Sequence, residues 1–165
     1  NALCKAFGIA LPGDGYIKTG DRMNESSLRI TFEGMGLKVL LVEDNYINQK
    51  VALIMLSKMG LDVTPVTDGS EAVEKILSTP FHIILMDVQM PGIDGWEATR
   101  QIRAKWKKEM GNPPYIIALT ANALVGDRER SLTSGMDDYL SKPVRSQDLA
   151  EAIERYRKHA LIRPA

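Results

Sequence analysis

A single cysteine, Cys4, serves 165 residues. No intrachain disulfide can form, and a free thiol in a reducing compartment is the expected state. Net charge is missing too. Lys and Arg number 21 and so do Asp and Glu, which removes any general pull toward nucleic acid or anionic lipid. Long apolar runs are absent: the longest, Val51 to Leu56, has six residues, where a membrane span needs about 20. The chain does not open on a charged leader followed by an apolar segment, so a signal peptide is not expected and a cytoplasmic location is. It also lacks an initiator Met, which reads as a piece of a longer or processed protein with Asn1-Ala2 as a cloning remnant, and no DNA-binding helix-turn-helix or other effector is expected after Ala165. What remains is 44% hydrophobic and 25% charged, an ordinary globular balance that excludes global disorder.

From Leu37 onward short apolar runs alternate with helical patterns. Lys38–Val42 is nearly all apolar, which suits a strand buried on both faces. A helix is expected from Tyr46 to Met59, stopped by Gly60. Val63–Thr67 reads as a second strand, and Pro65, which cannot donate to a ladder, places it at a sheet edge. Asp68 and Glu71 have capping-box spacing ahead of a short helix. Phe81–Met86 is a third strand, ending in Asp87 and a turn-rich stretch through Gly95. Asp94 and Glu97 repeat the capping spacing and open a helix to about Trp106. After a polar loop, Tyr115–Leu119 is the fourth strand, ending at Thr120. A helix from about Leu124 ends at Gly135, Asp138–Ser141 is the fifth strand, and Ser146 caps a last helix.

This alternation predicts an α/β fold: a doubly wound, five-stranded parallel sheet in the flavodoxin-like order 2-1-3-4-5, with helices on both faces. Ligands of such sheets sit beyond the strand C-termini, at the switch between strands one and three. The first 36 residues stand outside the alternation. Ser27–Glu33 has Leu28, Ile30 and Phe32 on one face and reads as a strand that pairs with Tyr16-Ile17 in a hairpin. A hairpin is marginal alone in water, so it must lean on something.

Each unusual polar residue falls at a strand end. Glu43 and Asp44 follow strand one, Asp87 strand three, Thr120 strand four and Lys142 strand five. In a parallel sheet these ends share one edge. Three carboxylates gathered there repel, a like-charge pair at 4 Å costing about 4 kcal/mol at an effective dielectric of 20. A cation must compensate, and oxygen ligands without His or Cys point to Mg²⁺.

At these residues the sequence resembles a known family. Val39-Leu40-Leu41-Val42-Glu43-Asp44-Asn45, Leu85-Met86-Asp87-Val88-Gln89-Met90-Pro91-Gly92-Ile93-Asp94-Gly95, Ala118-Leu119-Thr120-Ala121 and Tyr139-Leu140-Ser141-Lys142-Pro143 look like the receiver domain of two-component response regulators. Asn48-Gln49 is similar to receivers fused to hybrid sensor histidine kinases. The resemblance implies a receiver over 37–160, a tail over 161–165, and over 1–36 a linker or the remnant of a preceding kinase domain. For the last, Gly15–Lys18 and Ser26–Phe32 resemble the closing strands of a histidine-kinase ATP-binding domain.

The resemblance further implies that Asp87 accepts a phosphoryl group from a phosphohistidine on a histidine kinase or histidine phosphotransfer protein. Glu43, Asp44, Asp87 and the Gln89 backbone carbonyl would hold Mg²⁺. Lys142 would supply an ammonium, Thr120 a hydroxyl, and the Val88 and Ala121 N–H groups further donors to the phosphoryl oxygens. A cis peptide before Pro143 would aim Lys142 inward. Tyr139 would be the aromatic switch, moving when Thr120 is drawn to phosphate. Gln89 and Asn122 would flank the water that hydrolyses the phosphate. Such a domain is not an enzyme in isolation, though it promotes its own phosphorylation and dephosphorylation, and a monomer is expected.

Three other readings fit less well. A haloacid-dehalogenase-like phosphatase also uses Asp, Thr or Ser, Lys and Mg²⁺, but needs a general acid where this chain has Gln89. A flavin-binding module needs a phosphate loop where Glu43 and Asp44 would repel phosphate. A degenerate receiver that only binds partners would not need all five strand-end residues.

The first helix carries one more signal. At about 100° per residue, Ala52, Met55, Leu56 and Met59 form one apolar face, while Ile47, Val51 and Ile54 form a second roughly 120° away. One sheet cannot bury both. The second stripe either packs under the last helix or the N-terminal segment, or docks a histidine-bearing helical bundle, as receivers resembling this one do.

Overall fold

Alternate residues of each inner strand enter two different cores, and this is why the strands read as continuous apolar runs. The computed structural model describes residues 32–121 and 125–162. Across them run β1 (Lys38–Val42), α1 (Tyr46–Lys58), β2 (Asp62–Val66), α2 (Gly69–Ser78), β3 (Ile83–Asp87), α3 (Gly95–Lys105), a 3₁₀ turn (Lys108–Met110), β4 (Tyr115–Thr120), α4 (Val125–Thr133), β5 (Asp138–Ser141) and α5 (Ser146–Ile162). All pairings are parallel, in the order β2-β1-β3-β4-β5. Val39, Leu41, Ile83, Leu85, Ile117 and Leu119 face α1 and α5, packing on Leu56, Leu149 and Ile153. Leu40, Val42, Ile84, Met86, Ile116 and Ala118 face the opposite way, onto Val73, Ile76, Trp96 and Ile102. Fully burying a residue of this size contributes about 1.5–3 kcal/mol, so the two cores dominate stability.

The expected fold is the observed one, with Pro65 on an edge strand. Asn45 caps α1, its Oδ1 accepting from the Ile47 and Asn48 amides, and Gly60 ends the turn after α1 at φ +78°, which suits only glycine without strain. Asp68 and Asp94 accept from the Glu71 and Glu97 amides, each at 2.8 Å. The Thr67 amide turns to the Glu71 carboxylate, so β2 stops at Val66 rather than Thr67. Phe81 lies outside β3 because pairing begins where the His82 amide meets the Lys38 carbonyl, with no earlier β1 residue to continue it.

Three boundaries differ further. Ser146 is the first helical residue of α5 and not its cap, because the Leu149 amide bonds the Arg145 carbonyl and shifts the cap to Arg145. Leu161 and Ile162 belong to α5, so the tail begins later than 161. Phe32 is helical, and the Met35 amide closes a turn on its carbonyl, so the strand expected over 27–33 does not run through Phe32. The remainder of that strand, its hairpin partner and Cys4 lie outside the described residues. Phe32 itself is buried in the α1/α5 core, as a segment that leans on the domain requires.

Candidate functional site

The C-terminal ends of β1, β3, β4 and β5 bring Glu43, Asp44, Asp87, Thr120 and Lys142 to one edge of the sheet. Asp87 is the last residue of β3, and β3 lies between β1 and β4, so its side chain emerges at the centre of that edge. The loop after Asp87 folds back directly over it. A Cβ on Gly95 would collide with the Asp87 carbonyl, so only glycine lets α3 begin so close.

Lys142 ties the carboxylates together. Its Nζ donates to Glu43 Oε2 at 2.7 Å and to Asp87 Oδ2 at 2.8 Å. Glu43 and Asp87 are each 2% exposed, while Asp44 is exposed. Burial pushes the Asp87 carboxyl above its ordinary range, overcoming the lowering effect of its hydrogen bonds to Lys142 and the Gln89 amide. Burial also works to lower the Lys142 ammonium, but hydrogen bonds to Asp87 and Glu43 outweigh it and raise the group above the usual lysine value. The ammonium therefore stays charged at neutral pH and offsets the acid cluster. The peptide joining Lys142 to Pro143 is cis.

The donor set fits a small, hard cation. One carboxylate oxygen each from Glu43, Asp44 and Asp87 lies within 4.8 Å of the others. Octahedral ligands about 2.1 Å from a central ion are spaced within that range, and no nitrogen or sulfur ligand is among them.

Two side-chain amides of α1, neither with a role that the sequence pattern assigns, hold Glu43 in place. Asn48 Nδ2 donates to Glu43 Oε1 at 3.2 Å. Gln49 Nε2 bridges the backbone carbonyls of Glu43 and Val66 at 3.2 and 3.1 Å, pinning the ends of β1 and β2 together. Gln49 was legible in one respect: it shares the buried face of α1 with Ala52 and Leu56, where a polar residue must find a partner.

The backbone donors are placed differently from expectation. The Val88 N–H is spent on the Leu119 carbonyl at 3.1 Å, because β4 extends the ladder one residue beyond Asp87. It is the Gln89 N–H that reaches Asp87, donating to Oδ1 at 3.0 Å. Ala121 follows β4 at the same edge and is exposed. The Thr120 hydroxyl donates to Asp127 Oδ2 at 2.8 Å, a partner without sequence signal. Tyr139 is half-buried on β5, with the Arg128 guanidinium 5.7 Å from its ring centre. Asn122 lies outside the described residues.

Ile47, Val51 and Ile54 are 66%, 46% and 57% exposed, so α5 does not cover the second stripe of α1. An open cleft of about 480 Å³, lined by Glu43, Lys142, Val51, Met55 and Val144 among others, joins that stripe to the acid cluster.

Comparison with known proteins places this geometry. The response regulator receiver domain family matches residues 39–154. The sensor protein GacS of Pseudomonas syringae pv. syringae is 42% identical over 129 residues, 78% of this chain but 14% of that protein. Hybrid signal transduction histidine kinase I of Dictyostelium discoideum is 46% identical over 70% of this chain and 7% of its own length. The chain thus spans a small part of the curated relatives it matches. Among solved structures, the receiver domain of the sensor histidine kinase PA1611 from Pseudomonas aeruginosa PAO1, with a magnesium ion in its active-site cleft, is 46% identical at a TM-score of 0.66, covering 73% of this chain and 97% of that one. A chain from the Saccharomyces cerevisiae co-crystal of the histidine phosphotransfer protein Ypd1 with the Ssk1 receiver domain is 36% identical at a TM-score of 0.72, covering 77% of this chain and 93% of that one. Among the described residues, no helix is long and apolar enough to cross a membrane.

Proposed function

Since the chain belongs to the response regulator receiver domain family, we propose that residues 37–160 form the phosphoacceptor module of a two-component phosphorelay, in which Asp87 takes a phosphoryl group from a phosphohistidine. The observation that carries this reading is the Lys142 ammonium bridging Asp87 and Glu43, with Asp44 beside them. Glu43, Asp44, Asp87 and the Gln89 carbonyl would hold Mg²⁺, which when bound would supply a Lewis acid for the phosphoryl oxygens.

An Asp87 carboxylate oxygen forms the new bond to phosphorus as the phosphorus–nitrogen bond of the donor breaks, and the electron pair leaves with the imidazole. Charge spreads over three phosphoryl oxygens, so donors fixed in advance around the mouth stabilise the transfer. Lys142 already lies on Asp87, and its hydrogen bonds to Asp87 and Glu43 raise its pKa, so it enters the reaction as a cation. The Gln89 N–H, now on Asp87 Oδ1, is placed to follow that oxygen or pass to the phosphoryl group. Thr120 and the Ala121 N–H complete the donors from β4. Gln89 orients the hydrolytic water and, being an amide, cannot deprotonate it. Asn122 is assigned the same role, and Tyr139 follows Thr120 as the aromatic switch.

The partner is a histidine kinase or histidine phosphotransfer protein. Its docking strip is the exposed Ile47, Val51 and Ile54 row, because the cleft at Glu43 and Lys142 opens beside it. The parent chain is a hybrid histidine kinase, on the ground that relatives of that kind share this domain. Residues 1–36 are then a linker or a kinase remnant, and the module is cytoplasmic. Incubation with a ³²P-labelled phosphohistidine donor tests the reading. Label is expected on Asp87 with Mg²⁺ and not with chelator, and absent from Asp87→Asn. Normal labelling of that variant overturns the assignment.

A further inference from the structure

Thr120 stands at the mouth of the site, 1% exposed, and donates its hydroxyl to Asp127 Oδ2 at 2.8 Å. A threonine hydroxyl carries one proton. The role proposed above for Thr120 needs that proton on a phosphoryl oxygen. Two anions therefore compete for one donor, and satisfying either one excludes the other.

Asp127 is well placed to spread the outcome. It lies in the first turn of α4, and its backbone carbonyl accepts from Ser131 Oγ at 2.8 Å. Ser131 Oγ in turn accepts from the indole Nε1 of buried Trp96 at 3.1 Å. The Arg130 guanidinium lies 3.8 Å from the Trp96 ring centre, and Arg128, the residue after Asp127, lies over Tyr139. One helical turn thus connects the Thr120 hydroxyl to both aromatic side chains flanking α4.

We propose that Asp127 is a positioning residue that holds the Thr120 hydroxyl in the unphosphorylated domain, opposes its capture by the phosphoryl group, and releases the first turn of α4 when it loses it. This rests on the phosphoacceptor reading of Asp87. A charge-assisted hydrogen bond is stronger than a neutral one, so losing the competitor favours the phosphorylated arrangement. Asp127 lies outside the cluster of Glu43, Asp44 and Asp87, and its effect must pass through Thr120.

The test is a beryllofluoride titration at saturating Mg²⁺, read by Trp96 fluorescence in the full chain carrying Trp106→Phe. Asp127→Ala is expected to lower the half-saturating concentration about tenfold, with Asp127→Asn, which keeps an uncharged acceptor, in between. In a Thr120→Val background Asp127→Ala is expected to change nothing, the coupling a double-mutant cycle isolates. Unchanged or weaker binding in Asp127→Ala overturns the proposal. So does an equal gain in the Thr120→Val background, because a general loosening of α4 would act without Thr120. If the parent chain shows no Mg²⁺-dependent beryllofluoride binding by ¹⁹F NMR, the phosphoacceptor reading fails first and takes this one with it.

Discussion

Lys142 and Asp87, 55 residues apart in sequence, meet at 2.8 Å, with the same ammonium 2.7 Å from Glu43. A lysine in this position does the work of a metal before any metal arrives: it neutralises carboxylates that would otherwise repel across a half-dry mouth. A bound cation and the ammonium would therefore share the carboxylates between them.

Lys142→Met is expected to destabilise the domain in chelator by about 3 kcal/mol, because both buried carboxylates lose their counter-charge. Added Mg²⁺ should restore more stability to the variant than it adds to the parent, since the ion then neutralises repulsion that Lys142 no longer does. Thermal melts with and without Mg²⁺ check this. Weaker Mg²⁺ binding in the variant would mean that Lys142 supports the metal instead of substituting for it. Transfer to Asp87 should slow whatever the metal affinity, because the proposed role of the ammonium is to face the phosphoryl oxygens as well.

Gln49→Leu is the corresponding test of the scaffold. The substitution keeps volume on the buried face of α1 but leaves the Glu43 carbonyl without its amide donor. An unsatisfied buried carbonyl costs about 1–3 kcal/mol. The expected result is a lower urea midpoint at constant m-value, together with weaker Mg²⁺ binding, because the β1 end that carries Glu43 and Asp44 keeps only the bond from the Glu43 amide to the Val66 carbonyl as its tie to β2. Lost stability with unchanged Mg²⁺ affinity would show that Gln49 supports the fold and not the site.

The placement of the site was legible because parallel topology does the gathering. Once Pro65 put β2 at an edge and the apolar runs set the strands, the residues after each strand had to converge. Donor assignments were less legible. Whether the Val88 N–H faced the mouth depended on how far β4 carried the ladder, which no local pattern encodes. Asp127 gave no signal at all, because an acid in the first turn of a polar helix is ordinary. Phe32 differs from expectation for the opposite reason. Its alternation with Leu28 and Ile30 predicts a strand, yet Phe32 itself is helical and is buried in the α1/α5 core.

His82 supplies a pH test far from the acid cluster. Its Nδ1 accepts from the Lys38 amide at 3.0 Å. Burial, then the neighbouring Lys38 charge, lowers its pKa from the ordinary 6.5. The folded state thus takes up a proton less readily than the unfolded chain. The contribution is complete above about pH 6.5 and is lost as pH falls through the folded pKa. An Asn oxygen can accept the same bond without titrating, so His82→Asn should match the parent at pH 7.5 and lose less stability by pH 5. Parallel melting curves across that range would show that the imidazole is not perturbed.

Docking on α1 gives the last test. Ile54 is 57% exposed, two turns from Ile47, and replacing it with Glu on a solvated helix face should leave the fold intact. Labelling by acetyl phosphate needs only the mouth of the site and should proceed at the parent rate. Transfer from a phosphohistidine protein needs the partner's helices to lie along Ile47, Val51 and Ile54, so a charge buried at the centre of that contact should slow it roughly tenfold or more. Comparing the two donors separates chemistry from docking. Equal slowing with both would trace the effect to the site, through the cleft at Val51 and Met55. Parent-like transfer with both would leave the exposed row without a part in recognition. Slowing with the protein donor alone is what a docking strip predicts, and Val51→Glu, one helical turn closer to Glu43 than Ile54, should show the same split.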